Sequence, residues 1–230
     1  MTPHPLDRAI WKALTTRQSD LSEGNALARR YIAPVGPFAA TAEDSAACLL
    51  ALRDIVPPGD RIAFATIAEI DAPPGLGVAM RDTKDQMVLD CAAPDPSLRA
   101  LVPLTIADVP AMLALTDATR PGPFGTRTIE MGRYLGVKAD GDLVAMAGER
   151  MRLDGFTEVS AVCVAASHRG LGLAADLVLA VAQDIVFRGE VPFLHVFASN
   201  APAIALYPKL GFVLRRQFHL TILTKSPKSA

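Results

Sequence analysis

Residues 159–174, VSAVCVAASHRGLGLA, join a β-branched apolar run to two glycines spaced one residue apart, and few folds accommodate that order. Val162 and Val164 read as strand, and Ser167-His168 as the approach to a helix. Arg169, Gly170, Gly172 and Ala174 follow at once. Small residues let a ligand approach the backbone, while the first turn of a helix offers N–H groups without internal partners and the positive end of the helix dipole. Such a turn binds anions through several amides together, and Arg169 adds a charged donor suited to phosphate oxygens.

The helix opened by this loop carries Leu173, Leu177, Val178, Val181, Ile185 and Val186 on an apolar face, with Asp176, Gln183 and Asp184 opposite. Arg188 lies in its last turn and Gly189 stands where a left-handed cap is expected. Residues 192–199, PFLHVFAS, read as a second buried strand, which gives a β-α-β unit with parallel strands. Asn200 suits the cap of a further helix, Ala201 and Pro202 fill its first turn, and Lys209 with Gly211 closes it.

Arg169, Gly172 and Ala174 fit the pattern Arg/Gln-x-x-Gly-x-Gly/Ala, and the sequence resembles the GCN5-related N-acetyltransferases (GNAT), whose acetyl-CoA loop has that form. Asn200, Ala203, Leu206, Tyr207, Gly211 and Phe212 match the family's second hallmark, Asn-x-x-Ala-x-x-Leu-Tyr-x-x-x-Gly-Phe. The wording EVSAVC, HRGLGLA and PFLHVFASN is similar to the FR47-like branch. This resemblance implies an α/β (α+β) GNAT fold: a mixed, mostly antiparallel sheet, a central parallel β-α-β unit, and helices on both faces.

It also implies acetyl-CoA as co-substrate, without a metal, and a small-molecule or peptide amine as acceptor. The pantetheine arm is expected to hydrogen-bond the backbone at Val162, Cys163 and Val164 like an added strand, with an N–H near Val164 facing the thioester oxygen. The pyrophosphate is expected on amides of Arg169, Gly170, Leu171, Gly172, Leu173 and Ala174. Asn200 and Tyr207 of the second hallmark complete the acetyl-CoA set.

Transfer from a thioester to an amine requires that a proton leave the ammonium and that the departing thiolate gain one. Tyr207 is the candidate general acid, since a phenol near pKa 10 is protonated at neutral pH. Pro208 disfavours helical geometry at Tyr207 and puts its aim in question. The resemblance implies Glu158 as the candidate base, directly or through water, since family members often place a glutamate near this point on the strand; Glu149 on the preceding strand is a rival. His195 alternates with Leu194 and Val196 and faces either the acceptor cleft or a hydrogen-bonded core position. Cys163 reads as a small buried hydrophobe, because no histidine or second cysteine is tied to it. The loop at residues 120–131 is expected to wall the acceptor pocket, with Phe124 as an apolar side. Arg120, Arg127 and Arg133 are either carboxylate-binding groups or ordinary surface charges.

At 230 residues, half of them apolar, the chain suits one large domain or two small ones. Its net charge of −1 gives no general electrostatic reason to expect nucleic acid or anionic membrane as partner. Cys48, Cys91 and Cys163 are odd in number and lack histidines at metal-ligand spacing, which favours a reducing, cytoplasmic setting. No segment approaches the roughly 20 apolar residues that span a bilayer. Residues 97–230 read as the transferase domain, after a boundary at Pro94-Asp95-Pro96. Residues 1–96 read as an α/β region that is either a degenerate half-copy without its own cofactor loop or a lineage-specific packing domain. Residues 36–40, 61–66, 75–80 and 86–89 are its expected strands; residues 212–216 and 218–224 are expected to close the sheet.

Two other functions fit parts of the pattern. Gly170-x-Gly172-x-x-Ala175 also matches a dinucleotide fingerprint, and Glu190 lies about 20 residues on, but it precedes the second strand instead of ending it. A non-catalytic acetyl-CoA sensor would not need Tyr207. The residues leave the acceptor's identity and the oligomeric state open.

Overall fold

A computed structural model describes residues 4–90 and 100–226. Cys91 and the boundary expected at Pro94-Asp95-Pro96 lie outside them. In chain order the strands are β1 (Ser22–Gly24), β2 (Ala28–Tyr31), β3 (Phe38–Thr41), β4 (Arg61–Thr66), β5 (Gly77–Leu89), β6 (Val102–Leu104), β7 (Tyr134–Ala139), β8 (Asp142–Leu153), β9 (Phe156–Val164), β10 (Val191–Phe197) and β11 (Phe212–Thr224). The helices are α1 (Ala9–Thr15), α2 (Ala46–Ile55), α3 (Val109–Thr119), α4 (Leu173–Phe187) and α5 (Ala201–Leu206).

All these strands form one sheet in the order β1-β2-β3-β4-β11-β5-β10-β9-β8-β7-β6, continuous from one half of the chain to the other. Only β3 with β4 and β9 with β10 pair in parallel. Each of these pairs is bridged by a helix, α2 or α4, as a parallel connection requires. The long strands β5 and β11 pair antiparallel along the centre. There β5 borders β10 of the second half, and β11 borders β4 of the first. Each half therefore completes its neighbour's sheet.

Strand alternation sorts the core onto two faces. Leu194 and Val196 of β10 pack with Leu177, Val181 and Ile185 of α4. Phe193 faces the other way, toward Leu6, Ile10 and Leu14 of the N-terminal segment and α1. Gln18, just beyond α1, ties that segment to the sheet: its Nε2 donates to the carbonyls of Met131 and Arg150 at 2.8 and 2.6 Å, and its Oε1 accepts from the Tyr31 hydroxyl.

Two expected breaks are absent. The charged run at residues 81–85 does not divide β5, because β11 supplies ladder partners along all of it and β10 joins from Lys84 onward. Likewise residues 212–224 form a single strand, and the Arg-Arg-Gln interruption is a register shift between Leu214 and Arg216. A bulge absorbs an extra residue without ending the ladder.

Gly148 faces Tyr134 across β7 and β8, and a Cβ there would lie 2.2 Å from ring carbon Cδ1. Gly148→Ala is expected to destabilise the fold by about 2–3 kcal/mol through overpacking, read by urea unfolding.

Candidate active site

β9 and β10 stay paired over only three positions, Phe156 to Glu158 against Val191 to Phe193, and then part. Beyond Glu158 the edge of β9 that faced β10 runs without a strand partner among the described residues, opening a wedge in the sheet. On its other edge β9 is irregular: Ala145 and Met146 pair with Val164 and Cys163, but Gly148 pairs with Ser160, so two residues of β9 oppose Ala147 alone. Ala161 takes φ 53°, a left-handed conformation uncommon outside glycine, at this bulge. Nothing in the residue type announced it.

Beyond the wedge the chain makes a short 3-10 turn (Ala166–His168) and reaches α4 through Arg169, Gly170, Leu171 and Gly172, all exposed. Gly170 and Gly172 both sit at φ 78°, and a Cβ on either would meet no atom within 4 Å. Their glycine identity answers the backbone angle, and the space above them is open. Gly172 is the N-cap of α4 and offers no side-chain bond to the first turn, where Leu173 and Ala174 stand. The first-turn amides thus keep the anion-binding character expected from the sequence. Gly189, at φ 75°, follows α4 as the left-handed residue expected there.

Asn200 caps α5 by accepting from the Ala203 amide. Tyr207 keeps helical angles, φ −59° and ψ −37°, despite Pro208, because α5 tightens into a 3-10 turn (Tyr207–Leu210) and the Tyr207 N–H still bonds Ala203 O. Its ring packs edge-on to Phe212, 6.1 Å between centroids, in the α4 core. Burial alone pushes its phenol up to about 12. Burial also pushes the Cys163 thiol up to about 11, so this side chain is a neutral, buried group.

Glu158 is fully buried on the opposite face. Its Oε2 accepts from Arg150 Nε at 2.8 Å and from the Met151 amide at 3.4 Å; its Oε1 accepts from Arg150 Nη2 at 2.5 Å and from His195 Nδ1 at 2.7 Å. Four donors fill the roughly four lone-pair positions of a carboxylate. The residue expected to act as a free base is therefore saturated, and despite the opposing effect of burial, Arg150 and His195 hold it well below the usual carboxylate range.

The network fixes His195 as well. Gln86 Oε1 accepts from Arg215, so its Nε2 amide faces His195 Nε2 at 3.0 Å as a donor. His195 Nδ1 then carries the proton toward Glu158. Burial pushes the imidazole pKa down, so the ring is neutral. Glu149, the rival base, is buried on Arg188 beyond the end of α4, at 2.6 Å.

The loop expected to wall an acceptor pocket does border a recess, lined by Thr116, Asp117, Arg120, Gly122, Pro123 and Phe124. Of the three arginines considered for it, Arg127 of the loop pairs with Glu130, and Arg133 just beyond the loop pairs with Asp184. Sequence reasoning passed over Arg150, Gln86 and Lys84, which stand among other polar residues, Glu149 and Arg152 in one strand and the charged run at 81–85 in the other, so nothing local set them apart.

Breaking a buried ion pair by removing one charge costs about 3–5 kcal/mol. Glu158→Gln is therefore expected to lose stability on that scale in chemical unfolding. Both Glu158 and His195 are held below their unfolded pKa values, so the unfolded chain binds more protons in acid. Stability should fall as pH drops below about 6.5, and further below about 4.3, in a series of melting curves.

Comparison with known proteins agrees with this geometry. The FR47-like protein family matches residues 134–220. The [ribosomal protein bS18]-alanine N-acetyltransferase of Salmonella typhimurium is 32% identical over 127 residues, covering 51% of this chain and 85% of the relative. A GNAT-family crystal structure from Novosphingobium aromaticivorans superposes with a TM-score of 0.91 at 42% identity, covering 97% of this chain and all of that one. A GCN5-related N-acetyltransferase from Kribbella flavida shares the fold at 17% identity, with a TM-score of 0.60 over 92% of this chain and 91% of its own. With a relative covered over most of its length and the wedge, glycine loop and Asn-Tyr turn in place, the chain belongs to the GCN5-related N-acetyltransferases, in their FR47-like branch, and is an N-acetyltransferase.

Proposed function

We propose that the chain transfers an acetyl group from acetyl-CoA directly to a primary amine. The observation that carries this reading is the wedge between β9 and β10, which leads to the uncapped first turn of α4. The residues fit the co-substrate: an unpaired strand edge at Val162, Cys163 and Val164 suits the amide-bearing pantetheine arm, and the amides from Arg169 to Ala174 suit its pyrophosphate. Asn200 and Tyr207 stand at the second signature.

In this reading the amine nitrogen attacks the thioester carbonyl, and a backbone N–H near Val164 stabilises the oxyanion. The C–S bond then breaks, and Tyr207 gives its proton to the thiolate. Glu158 acts through His195: it holds the ring proton on Nδ1, while burial keeps the ring neutral, so the Nε2 lone pair is available once Gln86 yields and takes the proton from the amine. Residues 97–230 would carry the site, while residues 1–96, a half-copy without a glycine loop, lend strand β5. Cys48 and Cys163 are free and buried, in keeping with a reducing, cytoplasmic setting.

Tyr207→Phe is expected to lower kcat by about 10² to 10⁴ and to leave the acetyl-CoA dissociation constant within about threefold. Unchanged turnover would remove Tyr207 from the mechanism. Because its phenol is pushed up to about 12, kcat at saturating acceptor should show no falling limb below about pH 10 that comes from Tyr207.

A further inference from the structure

The concave face holds a cleft that the transfer geometry leaves unused. It is half-open to solvent and lined mainly by apolar side chains. Leu6 and Trp11 of the N-terminal segment, Phe38 of β3 and Phe218 of β11 line it, and His195 and Arg150 also border it. His195 lies two residues past the last β9–β10 pair, so the cleft reaches the start of the wedge from the face opposite α4.

The charged groups lining the cleft are paired, with one exception. Asp7 bonds Arg215, Arg8 bonds Asp44, and Arg150 bonds Glu158. Lys84 projects over the Phe197 ring, 4.4 Å from its centroid, and makes no ion pair among the described residues. An apolar cleft with one uncompensated cation calls for an apolar ligand bearing one anionic group.

We infer that this cleft is the acceptor site and that its acceptor is a free amino acid with an apolar side chain, the carboxylate held by Lys84 and the amine presented toward His195. The inference rests on the acetyl-transfer reading above. The acceptor nitrogen loses a proton toward His195 and bonds to the acetyl carbon; the C–S bond breaks, and the thiolate is protonated, giving an N-acetyl amino acid and CoA. Burial, and next the Arg150 guanidinium, push the Lys84 ammonium down to about 8, as for a cation lacking its counter-ion. A polypeptide N-terminus fits poorly, since it has no carboxylate beside the amine to meet Lys84. Lys84, Leu6 and Trp11 lie outside residues 134–220, the part that the FR47-like family model matches.

The test measures CoA release with L-phenylalanine, L-leucine, phenethylamine and an alanine-initiated peptide. The amino acids should exceed phenethylamine and the peptide by about 100-fold in kcat/KM, the scale of losing one partner of a buried charge pair. Lys84→Met should raise the KM for L-phenylalanine and cut its preference over phenethylamine to within about threefold, while Lys84→Arg keeps most of it. Equal use of phenylalanine and phenethylamine, or turnover of the peptide alone, overturns the proposal. Calorimetric titration with acetyl-CoA on the same proteins separates the two levels. Binding without amino acid acetylation overturns the acceptor assignment alone, whereas no binding by the unaltered protein overturns the transfer reading beneath it.

Discussion

A parallel ladder of three residue pairs, Phe156 to Glu158 against Val191 to Phe193, holds the centre of this protein together and then stops. If it ran further, the sheet would close and no ligand could reach its middle. The stop has physical supports on each side. The bulge at Ala161 bends β9 along its β8 edge, and β5 holds β10 from Phe193 to Phe197. The two strands are thus each committed to another neighbour, and the gap between them is built in.

The last rung of that ladder also anchors the buried polar network. Glu158 is paired with Phe193 in the ladder and gathers Arg150 from β8 and His195 from β10 beneath it. Gln86 extends the network to Arg215 and to the carbonyl of Leu6. Five strands and the N-terminal segment therefore meet through hydrogen bonds on the concave face, where an unsatisfied charge would be costly. Such a network favours one arrangement of the strands, because a shift of one residue would carry every one of these groups to the other face.

How much of this could be read in the sequence depends on the range over which each feature is determined. The glycine loop, the Asn200 cap and the β-α-β order were legible because left-handed angles, caps and hydrophobic periodicity are local properties. The bulge was not, since an alanine at φ 53° is held by its surroundings and not by its own preference. Glu158 was legible as a carboxylate at a notable position, but its chemistry was not, because Arg150, opposite it across a bulged hairpin, decides it. The continuity of β5 through a charged run, and of β11 through Arg215-Arg216, followed from strands far away in the chain. So did the roof that Leu6 and Trp11 place over the concave face.

The central claim is that the wedge and the first turn of α4 receive acetyl-CoA, and amide hydrogen exchange with and without acetyl-CoA addresses it most directly. The account predicts slowed exchange at residues 162–164 and 170–175, where strand edge and helix amides gain partners. Protection absent from both stretches, or confined to the β3–β4 pair of the first half, would contradict it.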